Sequence, residues 1–281
     1  MMRVLPLAAL LAAGLASPAA AQSYRTTVET RRVEAGRPLR VDVAFGVGEL
    51  LVHPGDGSRT YRVALTYAED AFTPEVRFDQ GAGLLSVKLA GEGHVNLDDV
   101  DASDQRLDLG LPRDVPLDLS LSFGALDAQV ELGGLDVRTA EIKTGASETV
   151  VMFSSPATGA CSRLELNVGA AQFEARQLGN SGCTVIELRG AIGEMELDLS
   201  GTRLAAETRL VIKVGLAEVR LLVPEAVGIT LESDRFLASV SRAGLVQQGS
   251  LFVSPGFDRA NAKLYIEVDA ALGSVEIERI R

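Results

Sequence analysis

The sequence predicts an all-β protein: a stacked-strand β-solenoid, single-stranded and parallel β-helix-like, with an N-terminal β capping domain. Three observations carry this. Apolar and polar residues alternate along many stretches, which marks strands with one buried face. A unit of strand, small residue, strand recurs along the chain. The recurrence falls in the range of twenty to fifty residues typical of solenoids, propellers and arrays.

Leu117 to Leu132, LDLSLSFGALDAQVEL, sets the template. Around the pivot Gly124 the apolar residues are Leu119, Leu121 and Phe123, then Ala128 and Val130. Gly169 repeats it with Leu164, Leu166, Val168, Phe173 and Ala175. Ala191 does so with Ile186, Leu188, Met195 and Leu197, and Gly215 with Leu210, Ile212, Val214, Val219 and Leu221. Gly145 gives a weaker copy, with Thr149 and Val151 after it. Asp234 gives another, between Ile229, Leu231 and Ala238, Val240. The last copy pivots near Ala271, and an early one on Gly46, between Val41, Val43, Phe45 and Leu50, Val52. From Gly124 the successive spacings are 21, 24, 22, 24, 19 and 37 residues. A small pivot permits a bend or a close backbone approach. One such unit cannot bury its apolar row alone, but a stack of them makes a continuous core. A sandwich of evenly spaced hairpins is the alternative; the matched order of positions within each copy favours stacking.

Taken in order, the chain opens with a signal-peptide pattern over residues 1–21. Arg3 is the charged end, Val4 to Leu15 the apolar run, and Ala19-Ala20-Ala21 the cleavage site, so export is expected to leave Gln22 first. The run is too short to span a bilayer comfortably, and no later stretch is long enough without charge. The whole chain has 27 basic and 38 acidic residues. Removal of Arg3 leaves 26 against 38, a formal charge of −12. That charge disfavours nucleic acid and anionic lipid surfaces. There is no Trp, which weakens a sugar-stacking reading. The expected mature protein is therefore soluble and periplasmic or secreted, with no integral membrane segment.

Residues 22–112 read as an N-terminal β-domain. After the unit around Gly46 come the turn His53 to Gly57 and short strands at Tyr61 to Tyr67, Val76 to Phe78 and Leu84 to Leu89. A hinge lies near Leu111 to Pro116. Residues 113–281 form the repeat domain, whose end coil the N-terminal domain is expected to cover.

Three segments resemble the toast-rack family: FGVGELLV at Phe45 to Val52, LTYAEDAFTPEVRFDQGAGLLSV at Leu65 to Val87, and DVPLDLSLSFGALDAQVELGGLDVRTAEIKTGASE at Asp114 to Glu148. VDAALGSVEI at Val268 to Ile277 is similar to that family's closing motif. The resemblance covers essentially the whole chain after residue 21, as an N-terminal and a C-terminal module. The family is related to bacterial cell-wall-active antibiotic-response proteins. It implies a stacked β architecture and a loose association with the envelope, and it brings no defined catalytic residues. Antibiotic-response relatives carry membrane helices, where this chain has a cleavable signal.

No stretch carries a catalytic signature. Gly46-Val47-Gly48 lacks the third glycine of a dinucleotide fingerprint, and Gly145 to Thr149 lacks the final glycine of a nucleophile elbow. His53 and His94 have no ligand-spaced Cys or His and read as surface turn residues. The acidic run Asp98, Asp99, Asp101, Ser103, Asp104 lacks the glycine and glutamate of a calcium hand and reads as a solvated loop. Glu165, Glu187 and Glu267 alternate with core residues and are expected to face solvent. No metal or cofactor is implied.

Cys161 and Cys183 are the only cysteines. Each stands three residues before the first apolar residue of its copy, so adjacent coils would bring them together as a disulfide in an oxidising compartment. Two buried thiols are the alternative. Two functions remain: a non-enzymatic envelope protein that offers a rigid surface to a partner in stress response or adhesion, or a carbohydrate-active β-helix enzyme. The acidic bias of the strand surfaces favours a basic or cation-bearing partner, although Arg209, Lys213 and Arg220 interrupt it.

Overall fold

The computed structural model describes residues 23–34, 36–91, 104–242 and 244–281. The fold is all-β, with sixteen strands and no α-helix among the described residues. They are β1 (Tyr24–Arg32), β2 (Leu39–Pro54), β3 (Thr60–Ala68), β4 (Phe72–Asp79), β5 (Leu84–Gly91), β6 (Arg106–Leu111), β7 (Leu117–Glu131) and β8 (Val137–Thr144). Then follow β9 (Glu148–Met152), β10 (Arg163–Arg176), β11 (Val185–Asp198), β12 (Glu207–Pro224), β13 (Gly228–Val240), β14 (Val246–Gln248), β15 (Leu251–Val253) and β16 (Lys263–Ile280).

The spine is a parallel ladder in the order β2, β7, β8 with β9, β10, β11, β12, β16, β13. Parallel neighbours ordinarily need a long crossover. Here residues 177–184 suffice to carry the chain from the end of β10 to the start of β11. Each long strand bends at its middle, so its end already lies near its beginning. β2 pairs with β7 over Leu39 to Val52, so the ladder runs unbroken across the hinge near residue 112.

The alternation is the reason the strands stack in this register. Val41, Leu119, Ala140, Leu164, Ile186, Leu210, Ile266 and Leu231 form one column along the ladder. All eight are buried. A slip of one residue would turn every such row to solvent. Beyond the bend a second column does the same: Leu50, Ala128, Thr149, Phe173, Met195, Val219, Val275 and Val240.

The bends coincide with the repeat pivots. Residues on either side pair in register, which stacks Gly46, Gly124, Gly145, Gly169, Ala191, Gly215 and Ala271 on one another. A Cβ at Gly124 would run into the Gly46 carbonyl oxygen of the layer below. At Gly169 it would lie 2.8 Å from the Gly145 oxygen, and at Gly215 2.9 Å from that of Ala191. Around Gly46 itself the space is open. At Gly124, Gly169 and Gly215 the carbonyl of the preceding layer thus leaves no room for a side chain, although Ala191 and Ala271 are accommodated in the same column, and Gly46 has open space.

One expectation needs correction, and one feature of the order was not foreseen. Asp234 is not a corner: Arg235 pairs with Ala270 and Leu237 with Leu272, which places Phe236 on Ala271. A template that looks for a small pivot cannot find a phenylalanine one. Nor does the last copy stack last, because β16 lies between β12 and β13. The chain passes over to β13, makes the antiparallel pair β14–β15, and only then returns; this excursion accounts for the 37-residue spacing.

One layer was not visible as a copy at all. β5 pairs with the first half of β2, and β6 with its second half. β8 and β9 divide in the same way across β7. The β5–β6 layer has residues 92–105 where the others have a corner, so the template fails on it. Antiparallel strands terminate the ladder at both ends: β3 runs between β6 and β1, and β15 joins β13 to β14. An ending of this kind blunts an exposed parallel edge.

The corner argument gives a contrast to measure. Gly124→Ala is expected to lower unfolding stability by about 1–3 kcal/mol, because the added methyl meets backbone. Gly46→Ala should be neutral or stabilise by about 0.4–1 kcal/mol through the unfolded chain. Urea unfolding of the two variants, followed by far-UV circular dichroism, checks the difference.

Candidate binding face

The bend divides the outward side chains of the ladder into two faces of different electrostatic character. On the first-half face Glu141, Glu165 and Glu187 stack in one row, with Glu267 two layers on. Bases flank this row and neutralise it. Lys143 pairs with Glu141 at 2.7 Å, Arg163 with Glu165 and Glu187 at 3.4 Å, and Arg209 with Glu267 at 2.7 Å. Arg189 donates to Glu187 through two nitrogens, at 2.7 and 3.0 Å. Glu187 is consequently buried, at 8 % exposure, under Arg163 and Arg189. Glu165 and Glu267 remain half-buried on the outside of the ladder. The solvent-facing expectation therefore fails for Glu187, because two guanidinium groups cover it.

The second-half face is different. Asp127, Glu148, Gln172, Glu194 and Glu218 stack in register, one from each successive layer. Glu148, Glu194 and Glu218 make no hydrogen bond or ion pair with any other described residue. The next row outward holds Glu174, Glu196, Arg220 and Glu276. Arg176 forms a two-pronged bond to Glu174, and Arg220 bonds Glu278 and approaches Glu196 at 3.5 Å. These bonds raise the pKa of both guanidinium groups above the ordinary arginine value. The two rows line an open groove of about 640 Å³. Adjacent layers sit about 4.8 Å apart, so like charges in register repel. A cationic partner would relieve that repulsion.

The other residues singled out in the sequence are scattered over the fold. The corner residues Gly46, Gly124, Gly145, Gly169, Ala191 and Gly215 form a backbone column rather than a chemical site. Cys161 and Cys183 stand at equivalent places before β10 and β11 and are joined by a disulfide, with a Cα–Cα distance of 4.3 Å. Thr184 donates its amide to the Cys161 carbonyl beside it. His53 lies near the end of β2 rather than in a turn, half-buried, with Nδ1 3.0 Å from the Pro54 oxygen and Nε2 3.2 Å from Asp108 on β6. His94, Asp98, Asp99, Asp101 and Ser103, together with Ala21 and Gln22, lie outside the described residues. Among the described residues no group of His, Cys, Asp or Glu has the arrangement to hold a metal ion. Arg209 and Lys213 sit on the first-half face and Arg220 on the second.

The acidic column was missed in the sequence because its members lie more than twenty positions apart. The signal was present: each occupies the third place after its pivot.

A family model for the N-terminal domain of toast_rack matches residues 18–160, half of the chain. The chain belongs to the toast-rack family. A second model, for the C-terminal part of LiaF, cell wall-active antibiotics response, matches residues 172–277 of this toast-rack protein. No curated protein matches it. A candidate cell adhesion protein from Clostridium sporogenes is similar in structure at 14 % identity and a TM-score of 0.49, covering 91 % of this chain and all of its own. A candidate adhesin from Bacteroides fragilis has 10 % identity and a TM-score of 0.40, covering 90 % of this chain and 97 % of its own. A candidate lipid binding protein from Parabacteroides distasonis has 12 % identity and a TM-score of 0.36, with the same coverage. With identities and scores this low, these likenesses transfer nothing to the toast-rack chain. No helix among the described residues is long and apolar enough to cross a membrane.

The disulfide ties adjacent layers across 22 residues of chain. A loop of this size predicts a loss of about 3 kcal/mol of stability on reduction. Cys161→Ala/Cys183→Ala should reproduce that loss, read as a lower urea midpoint with a somewhat steeper slope, since the unfolded chain is no longer cross-linked.

Proposed function

We propose that this toast-rack protein is an exported, non-enzymatic envelope protein whose β-solenoid offers a rigid surface for binding a basic or cation-bearing partner protein. The observation that carries the reading is the column of unpaired carboxylates, Glu148, Glu194 and Glu218, held in register along one groove. Fixed charges of one sign on a stiff scaffold steer and select an oppositely charged partner. Stacked repeats present long regular surfaces of this kind. The match of residues 172–277 to a family named for the response to cell wall-active antibiotics supports a role in envelope stress, with adhesion as the other use of such a surface. The pattern of residues 1–21 supports export to the periplasm or beyond, with the chain beginning at Gln22. The division into a 22–112 module and a 113–281 array fits this reading: the first ends the stack and the second displays it.

A carbohydrate-active enzyme is the competing reading, since several carboxylates do share the groove. Glycosidases set an acid and a second carboxylate on either side of the scissile bond. Here the carboxylates stand side by side on one wall, which suits charge recognition better than acid–base work.

The test is crosslinking in cells, with and without cell-wall stress, using wild type and the Glu148→Gln/Glu194→Gln/Glu218→Gln variant. A basic envelope protein captured by wild type, and at least tenfold less by the variant, is the expected result. Equal capture by both, or turnover of an envelope polysaccharide by purified protein, overturns the reading. Separately, N-terminal sequencing of exported material should give Gln22; a start at Met1 or Met2 would contradict cleavage.

A further inference from the structure

Immediately after the corner, one outward position repeats in every layer. In β7, the β8–β9 layer and β10 it is small and exposed, as Ala125, Ala146 and Ala170, while β2 has the half-buried Val47 there. In the next four it becomes Ile192, Leu216, Leu272 and Leu237, which pair in register. These four are 53, 52, 42 and 67 % exposed. With layers about 4.8 Å apart they form a continuous aliphatic ridge roughly 14 Å long. The fold does not need them, since alanine serves the same place in three other layers. An exposed apolar row with no folding role marks an interaction surface.

The flanks of the ridge say what covers it. Two places before each corner stands a base in three layers: Lys143, Arg189 and Lys213. Three places after the same corners stands an acid: Glu148, Glu194 and Glu218. The layer between, β10, carries the uncharged pair Asn167 and Gln172. The β8–β9 layer, β11 and β12 thus present a base on one side of the corner and an acid on the other, at the same height, whereas β16 and β13 have Asp269 and Asp234 two places before the corner and Ser274 and Ser239 three places after it. A two-fold axis parallel to the ridge exchanges the two sides without changing height. It places Lys213 of one copy against Glu218 of the other, and Arg189 against Glu194. A two-fold axis across the ridge would instead oppose like charges.

We propose that the ridge Ile192–Leu216–Leu272–Leu237 is the interface between two copies of this chain, arranged side by side with their ladders pointing the same way and competing with the basic partner for Glu194 and Glu218. A two-fold contact must be self-complementary, and this corner is so in its apolar row over four layers and in charge at β11 and β12. Four aliphatic side chains alone fall short of the roughly 800 Å² per partner of a standard interface, so the charged flanks are needed to complete it. Lys213 and Glu218 have no partner among the described residues of their own chain. Lys143 and Arg189 are held by Glu141 and Glu187 and contribute less.

Sedimentation of the purified protein over a concentration series tests this. The expected result is a reversible dimer whose dissociation constant rises at least tenfold in Leu216→Ala/Leu272→Ala, a change to the residue the earlier layers already use. The charge-reversal variants K213E and E218K should each weaken the dimer by a similar factor. The double variant K213E/E218K should restore it, since in the two-fold arrangement each reversed charge faces the other. Circular dichroism matching wild type accompanies each variant. A protein that stays monomeric at every concentration overturns the proposal, as does a dimer unaffected by the ridge variant or not restored by the double reversal. A monomer that co-floats through this ridge with vesicles of phosphatidylethanolamine and phosphatidylglycerol also overturns it, assigning the row to a lipid surface.

Discussion

The structure depends on the passage of each corner carbonyl beneath the Cα of the next layer. Bent strands can stack in register only if their bends coincide, and coinciding bends bring backbone against backbone where a side chain would otherwise stand. Glycine at most corners satisfies this. The buried columns then follow: once the corners align, every residue an even number of places from a core position meets its counterpart in the next layer. Burial of those columns supplies the main stabilisation, since apolar area removed from water scales with each layer added.

The same alignment determines what the outside can do. Register turns a residue's place relative to its corner into a line along the molecule. A composition bias too weak to notice in one strand becomes a charged stripe or an apolar ridge when repeated. The neutralised first face and the acidic second face differ in this way alone. Lys143, Arg189 and Arg209 fall in rows next to glutamates, whereas Glu148, Glu194 and Glu218 fall in a row of their own.

Much of the fold was legible in the sequence because period-two alternation and a small pivot are local signals. The strands, the corner from Gly46 to Gly215 and the equivalence of Cys161 with Cys183 could all be read from them. Strand order is a different matter. Nothing local distinguishes β16 following β13 in space from β16 preceding it, because both present the same alternation to a neighbour. The Phe236 corner was missed because it lacks the small residue by which a copy is recognised, and the β5–β6 layer because residues 92–105 separate its two halves in the chain. The acidic face was written in the sequence as one residue per repeat, and became a site only when the register was known. Glu187 was misjudged because its cover comes from Arg163, a layer away, as well as from nearby Arg189.

The place of β16 has a consequence for how the chain reaches this state. During synthesis β13 emerges while β12 still offers an open parallel edge with the same alternation, so the two can pair with each other first. The native order then requires that pairing to part and admit a strand made later. A ladder of sequential layers could grow by simple accretion, layer upon layer. This one cannot finish that way, and its final step joins segments far apart in the chain, a slow kind of event in which a premature neighbour is the natural trap.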